Sequence, residues 1–166
     1  MKDSLSEFLT RIQRENRLYE DDSFILVQDR SPVVPGHLLL VALVRNPSLA
    51  DCALGAVESA VAAIRSVLHG RGRYFVLEHG RRSLCVSAEA PAHAHAHVVP
   101  LEEFDGFSWQ EVKTFPSMRA AYLSIPAQTE YLCWGDLGEN SSWHLKAPLG
   151  SVPKSIIRER ITQFRI

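Results

Sequence analysis

Apolar positions along the chain recur with two periods, about every third or fourth residue in some stretches and at alternate or successive residues in others, which separates helical from extended segments. Leu5, Phe8, Leu9 and Ile12 share one face of a helix predicted over residues 4–17, and Ser4 and Glu7 have the spacing of a capping box. Phe24–Gln28 and residues 38–44 are apolar runs of strand length. The turn residues Asp29-Arg30-Ser31-Pro32 and Pro35-Gly36 lie between them, so the pair reads as a hairpin with a long loop. The longest helical stripe runs over residues 48–69, through Leu49, Ala53, Val57, Ala60, Ile64 and Leu68. Gly70 and Gly72 close it, because glycine accepts the left-handed conformation that ends a helix.

Further along, residues 74–78 read as a strand, 80–91 as a loop and 93–100 as an alternating strand. A helix is expected over 108–119, although Pro116 interrupts it. Residues 131–134 and Trp143–Lys146 form a hairpin around a Gly-Asp-rich turn, and Pro153 opens a terminal helix with Ile157, Ile161 and Phe164 on one face. This order predicts a single α+β domain over 1–166, a mainly antiparallel sheet packed with helices and ending in a β-hairpin and a helix.

The chain's 166 residues suffice to bury roughly 70% of the unfolded surface, so neither disulfide nor structural metal is needed for folding. Lys+Arg 18 against Asp+Glu 19 argues against a nucleic-acid binder. No apolar run approaches the roughly 20 residues of a membrane span, and the first residues lack the apolar core of a signal peptide. Cys52, Cys85 and Cys133 are odd in number and widely spaced, which speaks against a disulfide framework. The expectation is a cytoplasmic protein with neither nucleic-acid nor membrane partner.

One segment stands apart, Ala92-His93-Ala94-His95-Ala96-His97-Val98-Val99-Pro100. Alternate residues of a strand point to one face, so the three imidazoles align roughly 6–7 Å apart. Ala94, Ala96 and Val98 face the other way, where small side chains let a helix approach closely. Three titratable rings in strict alternation are costly to bury without a purpose. Two readings are open: the rings bind a metal, or one attacks phosphorus while its neighbours orient and tune it.

The segment resembles the motif of the histidine triad superfamily, His-x-His-x-His followed by two apolar residues. That family comprises nucleotide hydrolases and nucleotidyl transferases. The resemblance implies that His95 attacks an α-phosphate to form a covalent nucleotidyl-histidine, that His97 orients it, and that His93 contacts phosphate oxygens or the leaving group. Upstream, Asp29, Pro32, Pro35 and His37 match the family's acid, its proline turn and a histidine eight positions beyond the acid. Asp29 would then bond ribose hydroxyls, and His37 would extend the hydrogen-bond network behind the triad. The match covers a core of about 20–105; the extension, about 106–166, carries Pro153 and Arg158 in a helix like one in some bacterial members. By family habit the substrate is an adenine nucleotide, the assembly a homodimer, and no cofactor or metal is required.

Some positions depart from the family pattern. Glu78 stands where many members place a ribose-binding asparagine, and is expected to bind substrate in its stead. Ala90 replaces a serine near the scissile phosphate, and Ala42 a proline. Arg81 and Arg82 read as solvated rather than phosphate-bound, and Trp109, Trp134 and Trp143 as core or interface rather than base-stacking residues. The expected activity is therefore phosphoric anhydride or phosphoramidate hydrolysis or nucleotidyl transfer. Alternatives are a specialised enzyme for an unusual nucleotide-linked substrate, a nucleotide-binding module with little turnover, and a metal enzyme built on the triad.

Overall fold

Alternation within each strand decides which residues serve which side of the sheet. The computed structural model describes residues 16–81, 93–101, 111–138, 141–149 and 156–163. Its strands are β1 (Arg17–Glu20), β2 (Phe24–Gln28), β3 (Leu38–Ala42), β4 (Tyr74–Gly80), β5 (His95–Pro100), β6 (Lys113–Phe115), β7 (Tyr131–Asp136) and β8 (Trp143–Lys146). They form one sheet in the order β1-β2-β3-β5-β4-β7-β8-β6, with every neighbouring pair antiparallel. The histidine strand β5 is therefore interior, paired with β3 through Leu39–His97 and with β4 through Leu77–His97.

One face of the sheet packs on helices α1 (Leu54–Val67) and α2 (Met118–Leu123). Leu26, Leu40, Val76, Ala96 and Val98 meet Val57, Ala60 and Ile64 there, so the alanines between the histidines do lie on the helix side. Ile64 is fully buried, and truncating such a residue to alanine typically costs about 2–5 kcal/mol. The opposite face carries Phe75, Leu77, Leu132 and Trp134 under helix α3 (Ile156–Gln163), whose Ile157 and Ile161 are buried as their spacing predicts. A small group on the same face, Ile25, Val27 and Val41, lies toward the β2 side of the histidines.

The long helix expected over 48–69 is divided. Leu49–Asp51 forms a 3-10 turn, Cys52 and Ala53 are extended, and α1 begins at Leu54. The turn presents the Leu49 N–H to the Glu78 carboxylate at 2.6 Å. Gly70 and Gly72 follow α1 with φ of +76° and +98°, the left-handed region that suits them. The helix expected over 108–119 is replaced, within the described residues, by β6 and the later helix α2. Pro116 lacks an N–H and disfavours helix at Phe115, while the Ser117 side chain accepts from Ala120 N–H and starts α2 afresh. Residues 4–15, Arg82, Ala90, Trp109, Pro153 and Phe164, on which other expectations rest, lie outside the described residues.

Candidate active site

The tautomers of the histidine cluster follow from their backbone partners. In the loop between β2 and β3, the Val33 N–H donates to Nδ1 of His37 at 3.2 Å. A neutral His37 must then carry its proton on Nε2, which lies 2.9 Å from Nδ1 of His97 and donates to it. His97, with Nδ1 accepting, holds its own proton on Nε2. On β5 itself, Nδ1 of His95 lies 3.1 Å from the His93 carbonyl, and Nδ1 of His93 lies 2.9 Å from the Ala42 carbonyl. A carbonyl only accepts, so both Nδ1 atoms are protonated, and in the neutral ring the lone pair falls on Nε2.

Exposure separates the rings. His95 is exposed, His93 is half-buried and His97 is buried. The His95 and His97 rings meet edge to face with centroids 5.8 Å apart. Burial pushes His97 well below its usual range, and the positive forms of His95, His37 and Arg158 push in the same direction. Burial also lowers His37 to about 4, opposed by Asp29 and reinforced by Arg158. The cluster thus presents one exposed ring, His95, with its Nδ1 proton turned to the backbone, backed by two buried rings that burial holds neutral.

Asp29 follows β2, and its side chain is only 4% exposed. Its Oδ1 accepts from Ser31 N–H at 2.8 Å, and its Oδ2 lies 3.5 Å from His37 Nε2. Arg158 of α3 donates to the same Oδ2 at 2.5 Å and to the Ser31 carbonyl at 2.6 Å. Arg158 was legible in the sequence as part of the terminal helix, but nothing local announced its contact 129 residues upstream.

Glu78 corrects an expectation. Leu77 pairs with His97, so Glu78, the next residue, projects to the opposite face among α1, α2 and their core. There it is fully buried and accepts from Leu49 N–H, from Tyr122 hydroxyl at 2.7 Å and from Tyr131 hydroxyl at 2.8 Å. Burial raises it to about 7, outweighing these three donors. It is a core polar anchor and does not face the triad. The partner tyrosines carried no sequence signal for this role.

Arg81 is likewise not solvated. Its guanidinium grips Asp51 through Nε and Nη2 at 2.9–3.1 Å and donates to the Pro126 carbonyl at 2.7 Å. Trp134 and Trp143 are buried in the two cores, Trp134 stacking on His144.

Among the described residues, one group of possible ligand atoms converges, from Asp29, His37 and His97. Its chemistry does not suit a cation: the guanidinium of Arg158 already occupies the carboxylate, and His37 and His97 spend facing nitrogens on each other. The alternating His93, His95 and His97 do not converge as a ligand set. No helix among the described residues is long and apolar enough to cross a membrane.

No family model matches the chain, and no curated protein sequence matches it. Solved structures do. A histidine triad protein from Clostridium difficile is 20% identical over 63% of this chain and 93% of its own, with a TM-score of 0.44. A hypothetical histidine triad nucleotide-binding protein from Sulfolobus tokodaii is 21% identical over 61% of this chain and 70% of its own, with a TM-score of 0.43. Yeast Ap4A phosphorylase, solved in complex with AMP, is 16% identical over 78% of this chain, with a TM-score of 0.50. This chain spans 57% of that enzyme's length. The chain shares its fold with Ap4A phosphorylase, an α+β arrangement around an antiparallel sheet.

Proposed function

We propose that this chain is a nucleotide hydrolase or nucleotidyl transferase that works through a covalent nucleotidyl-His95 intermediate. The observation that carries the proposal is the state of His95: exposed, with Nδ1–H tied to the His93 carbonyl and the Nε2 lone pair unspent by that bond. In the first step Nε2 attacks the α-phosphorus, the bond from phosphorus to the leaving group breaks, and the leaving group departs with a proton taken from solvent. In the second, water or another acceptor attacks the same phosphorus, the P–N bond breaks, and His95 recovers its lone pair while the acceptor gives up a proton.

His97, carrying its proton on Nε2, is suited to donate to a phosphoryl oxygen as charge builds there, and His37 holds it in that tautomer. His93, in its doubly protonated form, is suited to donate from Nε2 to a phosphate oxygen or the leaving group. Asp29 serves the ribose through Oδ1, its Oδ2 staying with Arg158. An adenine nucleotide as substrate, a homodimer and a cytoplasmic site are supported by the family resemblance alone.

A nucleotide-binding module with little turnover is the second reading. It is favoured by the near-complete burial of the Asp29 carboxylate under Arg158. Rapid-quench labelling separates the two. With an α-32P-labelled dinucleoside polyphosphate or adenosine phosphoramidate, the proposal expects an acid-labile, base-stable label on His95 that forms and decays at the turnover rate. Turnover with a validated substrate but no such label, or a label on another residue, would overturn the mechanism. Tight binding without turnover or label would favour the module.

A further inference from the structure

We infer that Arg158 is a positioning residue that decides which acceptor the single N–H of His37 serves, and thereby holds His97 in register beside the nucleophile. For turnover, though not for its structural content, this rests on the reading of the site given above. The proton on His37 Nε2 has two acceptors within reach, Nδ1 of His97 at 2.9 Å and Oδ2 of Asp29 at 3.5 Å. An ionised carboxylate is the stronger acceptor, since hydrogen bonds to charged partners are roughly twice as strong as neutral ones. Asp29 is also shielded from water, which would strengthen its pull further.

Arg158 cancels that pull. Its Nη2 donates to the competing oxygen, Oδ2, and its Nη1 to the Ser31 carbonyl, so the planar fork is fixed at both prongs. Helix α3 is itself held down by Ile157 and Ile161 on the face of the sheet that carries His97. The charged and titratable groups acting on His37 are Asp29 from the end of β2 and Arg158 from α3, with His97 bonded to it from β5. Those acting on His97 are His95 on its own strand, His37 from the loop and Arg158 from α3. With the guanidinium gone, His37 would swing its N–H to Asp29 or take a second proton. A doubly protonated ring would set its Nδ1–H against the Val33 N–H, donor to donor, at 3.2 Å. Either way His97 loses the donor that fixes its tautomer.

Nitrogen NMR of 15N-histidine-labelled protein tests this without substrate, because protonated and unprotonated ring nitrogens are well separated in shift. In the wild type, His37 should be neutral with its proton on Nε2 from pH 5 to 8, and His97 should show the same tautomer. Arg158→Gln should raise the His37 titration midpoint by about one unit or more, a tenfold or greater change in proton affinity, and should mix the tautomers of His97. Arg158→Lys, which keeps the charge but loses the fork, should fall between. Removing the competitor as well, in Asp29→Asn with Arg158→Gln, should restore the wild-type tautomers.

Unchanged His37 and His97 spectra in a folded Arg158→Gln protein would overturn the inference. So would a double variant as disturbed as the single one, since that would mark Arg158 as a mere anchor for α3. If the single variant fails to fold, the double variant alone decides. Absence of a nucleotidyl-His95 label leaves these outcomes untouched, so this inference and the proposed mechanism fail separately.

Discussion

The Tyr131 hydroxyl, on β7, donates to Oε2 of Glu78 on the neighbouring strand β4 over 2.8 Å, inside a core that excludes water. Tyr122 reaches the same oxygen from α2, and Leu49 N–H reaches the other. The carboxyl thus joins two strands, a helix and a turn, and its protonation is tied to folding.

That linkage predicts a stability profile in which Glu78 is opposed by the buried imidazoles, His37 and, acting in the same direction, His97. Glu78 is raised from 4.5 to about 7, so the folded state binds the proton more tightly. Its contribution is full below about 4.5 and is lost as pH rises through 7. His37 is lowered from 6.5 to about 4, so its contribution is full above 6.5 and is lost as pH falls through 4. Between pH 4.5 and 6.5 the slopes partly cancel. Glu78→Gln should unmask the acid loss, giving a decline in unfolding free energy on the order of 3 kcal/mol between pH 6.5 and 4. Urea melts across that range check it; a Glu78→Gln profile parallel to wild type would contradict the assignment.

His95→Ala should lower turnover by at least about a thousandfold, as for the central member of a catalytic unit. Because His95 is exposed, the unfolding free energy should shift by no more than about 0.5 kcal/mol. Parallel turnover assays and denaturant melts on the same preparation separate loss of chemistry from loss of fold.

Gly80→Ala should be severely destabilising. A Cβ at this position would lie 2.2 Å from the Tyr131 ring, which is fully buried and bonded to Glu78, so neither partner has room to retreat. Overpacking of this kind costs about 1–3 kcal/mol or more. A thermal midpoint within 1–2 °C of wild type would show that the ring repacks.

Activity should survive exhaustive chelation. The one convergent ligand group among the described residues is capped by a guanidinium, which repels a cation. Turnover measured before and after treatment with a strong chelator, with zinc added back, checks this; restoration by zinc of a lost activity would point to metal chemistry instead.

How far these features could be read in the sequence depends on how local their cause is. The triad was legible because strand alternation places His93, His95 and His97 on one side through their own spacing, and because Ala96 and Val98 confirm the other side. Hairpin β7–β8 was legible for the same reason. Glu78 was misassigned to the substrate because a one-residue step along β4 reverses its face, and only its pairing with β5 fixes which step is which. The break in the 48–69 stripe, at the extended Cys52 and Ala53, left no mark in the apolar spacing, which runs through both segments. Arg158 is the extreme case. Its partner is 129 residues away, and no period or motif connects them.

The interior placement of β5 has a consequence for how this segment tolerates change. It carries two messages in alternate letters, one for the helix-packed interior and one for the chemistry, and neither can shift without the other. Inserting or deleting a single residue between His93 and Val99 would exchange them, driving imidazoles against α1 and presenting alanines to solvent. With β3 on one flank and β4 on the other, the strand has no free edge along which to slide back into phase. Substitutions here are errors of spelling; a change of length is an error of frame.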